Sequence, residues 1–116
     1  MNASRANKMA ITYDEFRKVD LRVALVEDAE LVPGTSKLLK LVLRVGNEKR
    51  QIVAGIADQY SAEQIKGKKI VLVANLEPRT VRGVESQGML LAAVEPGGKL
   101  ALLVPERDIG DGTQVQ

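Results

Sequence analysis

A mainly β domain closing as a small five-stranded Greek-key barrel, with a short N-terminal helix, a short helix between strands three and four and a C-terminal β extension, is the fold this sequence predicts, and three observations predict it. Apolar residues recur at every second position in several short runs, the strand period rather than the helix period. Turn residues punctuate those runs at Pro33-Gly34, Gly46-Asn47 and Pro96-Gly97-Gly98. Between the third and fourth runs the pattern changes to a helix-capping signature, Ser61-Ala62-Glu63-Gln64.

Taken in order, residues 1–10 are polar and unpatterned and are expected to form a flexible N-terminal arm, with the folded domain over 11–116. Thr12 and Glu15 make a capping box for a short helix, and Ile11 and Phe16 take the places of a hydrophobic staple. A strand follows from Asp20, Leu21, Val23 and Leu25 alternating with Arg22, Ala24 and Val26. Pro33-Gly34 suits the centre of a type II turn, where proline sets φ and glycine accepts a positive one. Leu39, Leu41, Leu43 and Val45 then face one way along a second strand, and Gly46-Asn47 turns the chain into a third, 49–54. The helix capped by Ser61 ends at Gly67. Residues 69–75 and 88–94 read as the fourth and fifth strands, and 100–104 as a further one. The tail from Pro105 shows no clear period and makes a C-terminal extension. Three strands, a helix, then two strands is the order of an OB-type barrel, in which the loops joining strands one to two and four to five flank the oligonucleotide-binding face. Here those loops are 29–36 and 76–87.

The chain has 116 residues, enough for one domain burying about two-thirds of its unfolded surface. No apolar run approaches the roughly 20 residues of a membrane span, and residues 1–9 lack the apolar core of a signal peptide. A cytoplasmic protein is expected. Cysteine and histidine are both absent. That excludes disulfides and thiolate chemistry and removes the commonest general base and metal ligand. No cofactor is expected.

Charge is unevenly spread. Residues 1–36 carry net −1, residues 37–82 net +6, and residues 83–116 net −3. A concentrated basic middle suits a polyanion, although solvated lysines and arginines produce the same count.

The polar stretch from Leu76 to Gln87 holds the candidate chemistry. Catalysis finds no complete constellation there: Ser86 has no histidine to activate it, a pairing with Lys37 or Lys99 is not placed by sequence, and nothing marks Glu77 or Glu85 as a buried acid. Anion binding does better. Arg79 and Arg82 offer guanidinium forks, Ser86 a hydroxyl, and Gly83 and Gly88 allow close backbone approach. Lys37 follows the other loop, and Lys49 and Arg50 open the third strand. Asn75 reads equally as a turn-capping amide, and Met89, opening an apolar strand, reads first as core. With only Tyr13, Phe16 and Tyr60 as aromatics, a base-stacking platform is not expected, and recognition of a folded RNA by shape and backbone fits better.

The segments Val73-Ala74-Asn75-Leu76-Glu77-Pro78 and Arg82-Gly83-Val84-Glu85-Ser86-Gln87-Gly88-Met89-Leu90-Leu91-Ala92-Ala93 closely resemble the tRNA-binding domain family. That family includes the C-terminal domain of many methionyl-tRNA synthetases and free-standing dimeric tRNA-binding proteins. The stretches 16–23, 36–41 and 50–56 agree with it, so the resemblance covers almost the whole chain from Ile11. The family often has glycine where Ala24 stands and serine where Ala54 stands. The resemblance implies an OB-fold module that binds tRNA by shape, without catalysis, and forms a homodimer through the region after the barrel. It implies an aminoacyl-tRNA synthetase as a possible partner. It also implies a contact surface formed by Asn75, Arg79, Arg82, Ser86 and Met89, with Lys37 and Arg50 as neighbours; for Met89 this weighs contact equally with core. A chaperone-like bacterial relative suggests the alternative of a peptide-binding dimer.

Overall fold

The computed structural model describes residues 8–116. Most of the expected N-terminal arm therefore lies outside the described residues, and Lys8 to Ala10 are exposed without regular structure. Helix α1 (Tyr13–Arg17) starts as the capping box requires: the Thr12 hydroxyl accepts from the Glu15 N–H at 3.0 Å, and the Glu15 carboxylate accepts from the Thr12 N–H at 2.9 Å. The helix buries none of its residues, and five residues cannot sustain a helix alone. Its exit is pinned instead. The Asn75 amide donates to the Lys18 carbonyl at 2.6 Å and accepts from the Asp20 N–H at 2.8 Å.

Strand β1 (Leu21–Leu31) runs eleven residues with a bulge between Val26 and Asp28. The extra residue shifts the inward phase, so Ala24 and Val26 and then Ala29 enter the core. Leu21 and Val23 are buried but lie outside that cluster. The turn after it is type II as expected: Thr35 N–H donates to the Val32 carbonyl at 3.1 Å, and Gly34 has φ +81°. Strand β2 (Leu39–Val45) buries all four residues of its apolar face. The two-residue loop Gly46-Asn47 hands the chain to strand β3 (Glu48–Ala54), with Val45 opposite Glu48. Helix α2 (Ala62–Ile65) repeats the capping box through Ser61 and Gln64, and places Ile65 fully in the core.

Strand β4 (Lys69–Val73) returns antiparallel beside β1, with Leu21 opposite Val73. The order β3-β2-β1-β4 is a Greek key. The segment read as a loop, 76–87, contains a hairpin of β5 (Arg79–Val81) and β6 (Val84–Ser86). The expected fifth strand is broken in two. β7 (Met89–Leu90) pairs with β4, whereas β8 (Ala92–Val94) pairs with β9 (Leu100–Leu102). Leu91 is the point of transfer: its N–H donates to Val71 on one side and its carbonyl accepts from Leu103 on the other, each at 3.1 Å. Residues 89–94 are all apolar, so the break leaves no mark on the sequence pattern.

The tail crosses back to form β10 (Gln114–Val115) beside the start of β1. It lies against the β2–β3 turn closely enough to require glycine. A Cβ on Gly112 would stand 2.8 Å from both the Cα and the N of Gly46, and Gly112 has φ +86°. The largest fully buried side chains are Val26, Leu41, Leu43, Ile52, Ile65, Ile70 and Leu72. Each stabilises the fold by about 1.5–3 kcal/mol through burial alone. Among the described residues no helix is long and apolar enough to cross a membrane.

Candidate nucleic-acid interface

The hairpin β5–β6 projects the two arginines singled out by sequence. Its turn is Arg82-Gly83, with φ +52° and +79° and Val81 opposite Val84. Two consecutive positive φ values make it a type I′ turn, whose twist matches that of the paired strands. Arg82 is the only non-glycine with positive φ among the described residues. The sequence signal was present but weak: β-branched residues flank an x-Gly pair, with arginine in place of the usual asparagine or aspartate.

Ion pairing thins the basic middle. Of the ten basic residues between Lys37 and Arg82, six pair with carboxylates: Lys40 with Glu30, Arg44 and Lys49 with Glu27, Arg50 with Glu48, Lys66 with Asp28 and Glu63, and Lys69 with Asp108. Among the described residues Lys37, Lys68, Arg79 and Arg82 enter no such pair. Three of those four stand on or beside the two loops expected to flank the binding face.

The structure brings some of the expected residues together and separates others. Lys37 and Arg82 line one shallow depression with Gly34 and Thr35. On the hairpin's other flank, Arg79, Ser86 and Met89 line a groove of about 300 Å³ floored by Val53 and Ile56. Met89 is 49% exposed, so it edges the groove and is not core. Ser86 is 4% exposed. Its hydroxyl accepts from the Val53 N–H at 3.0 Å and donates to the Gly88 carbonyl at 3.2 Å, so it is engaged within the fold. Asn75 uses its amide to pin the α1–β1 junction. Arg50 stands away from the Lys37–Arg82 depression. Its guanidinium pairs with Glu48 at 3.1 Å and donates to the carbonyls of Ala74 and Gln87.

Two residues quoted only as part of longer stretches prove central. The Gln51 N–H donates to the Gln87 side-chain oxygen at 2.9 Å, and the Gln87 N–H donates to the Gln51 carbonyl at 2.8 Å. The Gln51 side chain also donates to the Glu85 carbonyl at 2.9 Å. These bonds and that of Ser86 close the barrel between β3 and the base of the hairpin. Glutamine has no fixed structural habit in sequence, which is why the pair was not singled out.

Similarity to known proteins extends over almost the whole chain. The family model described as "Putative tRNA binding domain" matches residues 21–114. The methionine–tRNA ligase of Thermotoga maritima is 54% identical over 110 residues, covering 95% of this chain and 17% of that protein. The corresponding ligase of Archaeoglobus fulgidus is 47% identical over 93% of this chain and 16% of its own length. The chain thus spans about a sixth of the curated relatives it matches. Among solved structures, a MetRS-related protein from Pyrococcus horikoshii superposes with a TM-score of 0.90 at 43% identity, over 94% of this chain and all of that one. The chaperone CsaA from Bacillus anthracis str. Ames superposes with a TM-score of 0.85 at 29% identity, over 93% of this chain and all of that one. The matched model spans most of the chain, and the chain belongs to the tRNA-binding domain family.

Proposed function

We propose that this domain binds folded tRNA without catalysis and assists aminoacylation by holding tRNA near a synthetase, either as a free-standing protein or as part of a methionyl-tRNA synthetase. The observation that carries this reading is the gathering of three cations without ion pairs, Lys37, Arg79 and Arg82, around one projecting hairpin. Lys37, Arg79 and Arg82 meet backbone phosphates, and Met89 packs at the edge of the contact. Asn75, Ser86 and Arg50 act by holding the backbone that presents them. The absence of catalysis rests on Ser86, whose hydroxyl touches only a backbone N–H and a carbonyl, neither able to take its proton. The protein acts in the cytoplasm, where tRNA is charged.

A homodimer forms through the segment after the barrel, where Leu103, Val104 and Ile109 remain exposed in the single chain. Sedimentation equilibrium tests this; a monomer at tens of micromolar would contradict it. The apolar groove beside Arg79 and the likeness to CsaA favour a second reading, peptide capture by the same dimer. Titration with tRNA and with apolar peptides decides between them. Saturable tRNA binding that such peptides do not displace supports the first reading, and peptide binding with no tRNA binding supports the second.

A further inference from the structure

The edge of β3 presents backbone groups that no strand pairs, and one backbone bond, from Gln87 N–H to the Gln51 carbonyl, together with the side chains of Ser86 and Gln87 takes the place of that strand. Val53 N–H bonds to the Ser86 hydroxyl, Gln51 N–H bonds to the Gln87 amide oxygen, and Gln51 returns a bond from its own side chain to the Glu85 carbonyl. Arg50 adds its guanidinium, which donates to the Gln87 carbonyl at 3.5 Å and to that of Ala74. All but the Arg50–Ala74 bond, which reaches the end of β4, fall at the base of the β5–β6 hairpin. The hairpin itself has only three residues in each strand. A two-stranded ribbon of that length is not stable in isolation.

We infer that Arg50, Gln51 and Gln87 are positioning residues that latch the hairpin to β3, so that Arg79 and Arg82 are ordered before RNA arrives. The inference rests on the tRNA-binding reading for its consequence, though not for its geometry. The latch itself need not touch the ligand. Without it the arginines still reach their phosphates, but binding must first order the ribbon, and affinity falls by that ordering cost. A residue that contacts phosphate behaves differently. Its loss removes a released counterion and makes the salt dependence shallower.

Gln51→Ala, Gln87→Ala and the double variant test this, with Arg82→Asn as the contact control. Amide hydrogen exchange is followed in each, and tRNA affinity is measured at three salt concentrations well below the melting temperature. The latch predicts faster exchange at Thr80, Val81, Val84 and Glu85, with β1 and β2 unchanged. It predicts about three- to tenfold weaker tRNA binding at an unaltered log–log salt slope, and a double variant at least as weak as the worse single one, because each substitution removes a different bond of the latch. Arg82→Asn instead loses affinity with a shallower slope. A lowered melting temperature with unchanged hairpin exchange and unchanged affinity would make the glutamines merely structural and overturn the inference. Failure of the wild-type protein to bind tRNA would remove the functional reading, and the exchange data would then decide the latch by themselves.

Discussion

Gly88 joins the hairpin to β7, and replacing it with alanine perturbs both its backbone and the packing against β4. Gly88 has φ +135°, a conformation that L-residues rarely adopt. A Cβ built there would lie 2.8 Å from the Val73 carbonyl oxygen and 2.9 Å from Leu72 Cδ1. Leu72 could swing, but it is fully buried, and the Val73 carbonyl is held by the pairing of β4 with both β1 and β7. Backbone strain of about 1–3 kcal/mol and overpacking of about 1–3 kcal/mol add to roughly 2–6 kcal/mol. At about 4–8 °C per kcal/mol for a domain near this size, the melting temperature falls by about 8 °C or more. Gly97→Ala is the control, since its φ is ordinary and nothing lies within 4 Å of the added Cβ. Thermal and urea unfolding of both variants measure the difference. A Gly88→Ala protein within about 1 kcal/mol of wild type, a typical surface effect, would refute the argument that the Val73 carbonyl cannot yield.

Further outcomes follow from the charges. Three unpaired cations predict a log–log salt slope near −2 to −3 for tRNA binding, at roughly 0.7–0.9 per phosphate, and Arg82→Asn should reduce its magnitude by about that amount. The same substitution should cost about eightfold in affinity at 0.1 M salt while leaving stability unchanged, because asparagine tolerates the positive φ of the turn; unaltered affinity would show that Arg82 is idle. On the tail, the Lys69 ammonium hydrogen-bonds Asp108 and holds its carboxyl below the ordinary value of 3.8. A depressed folded-state pKa contributes stability above the unfolded value and loses it as pH falls through the folded one. Wild type and Asp108→Asn should therefore differ slightly in melting temperature at pH 7 and converge as pH drops below 3.8. A difference that persists at low pH would assign it to something other than this ion pair.

The parts of this fold legible in sequence are those specified by local chemistry. Thr12-Glu15 and Ser61-Gln64 are capping boxes whose partners lie three residues apart, and Pro33-Gly34 carries its own turn geometry. The face of Leu39, Leu41, Leu43 and Val45 is legible because a two-residue period admits one burial solution. What stayed hidden depends on partners far along the chain. The bulge in β1 answers to β2, and the exchange of sheets at Leu91 answers to Val71 and Leu103. Gly112 is required by Gly46. The site divides in the same way. Charge and loop position singled out Lys37, Arg79 and Arg82, which the fold leaves without ion pairs. They also gathered Arg50 and Ser86, whose polar groups are spent on the barrel, since a sequence does not reveal whether a polar atom already has a partner.

The most direct test of the central claim is tRNA binding by fluorescence anisotropy at two salt concentrations, beside an unstructured RNA of equal length. Recognition of shape through a few fixed cations predicts salt-sensitive binding that prefers the folded tRNA. Equal affinity for both RNAs would contradict it and leave the hairpin arginines as a nonspecific basic surface.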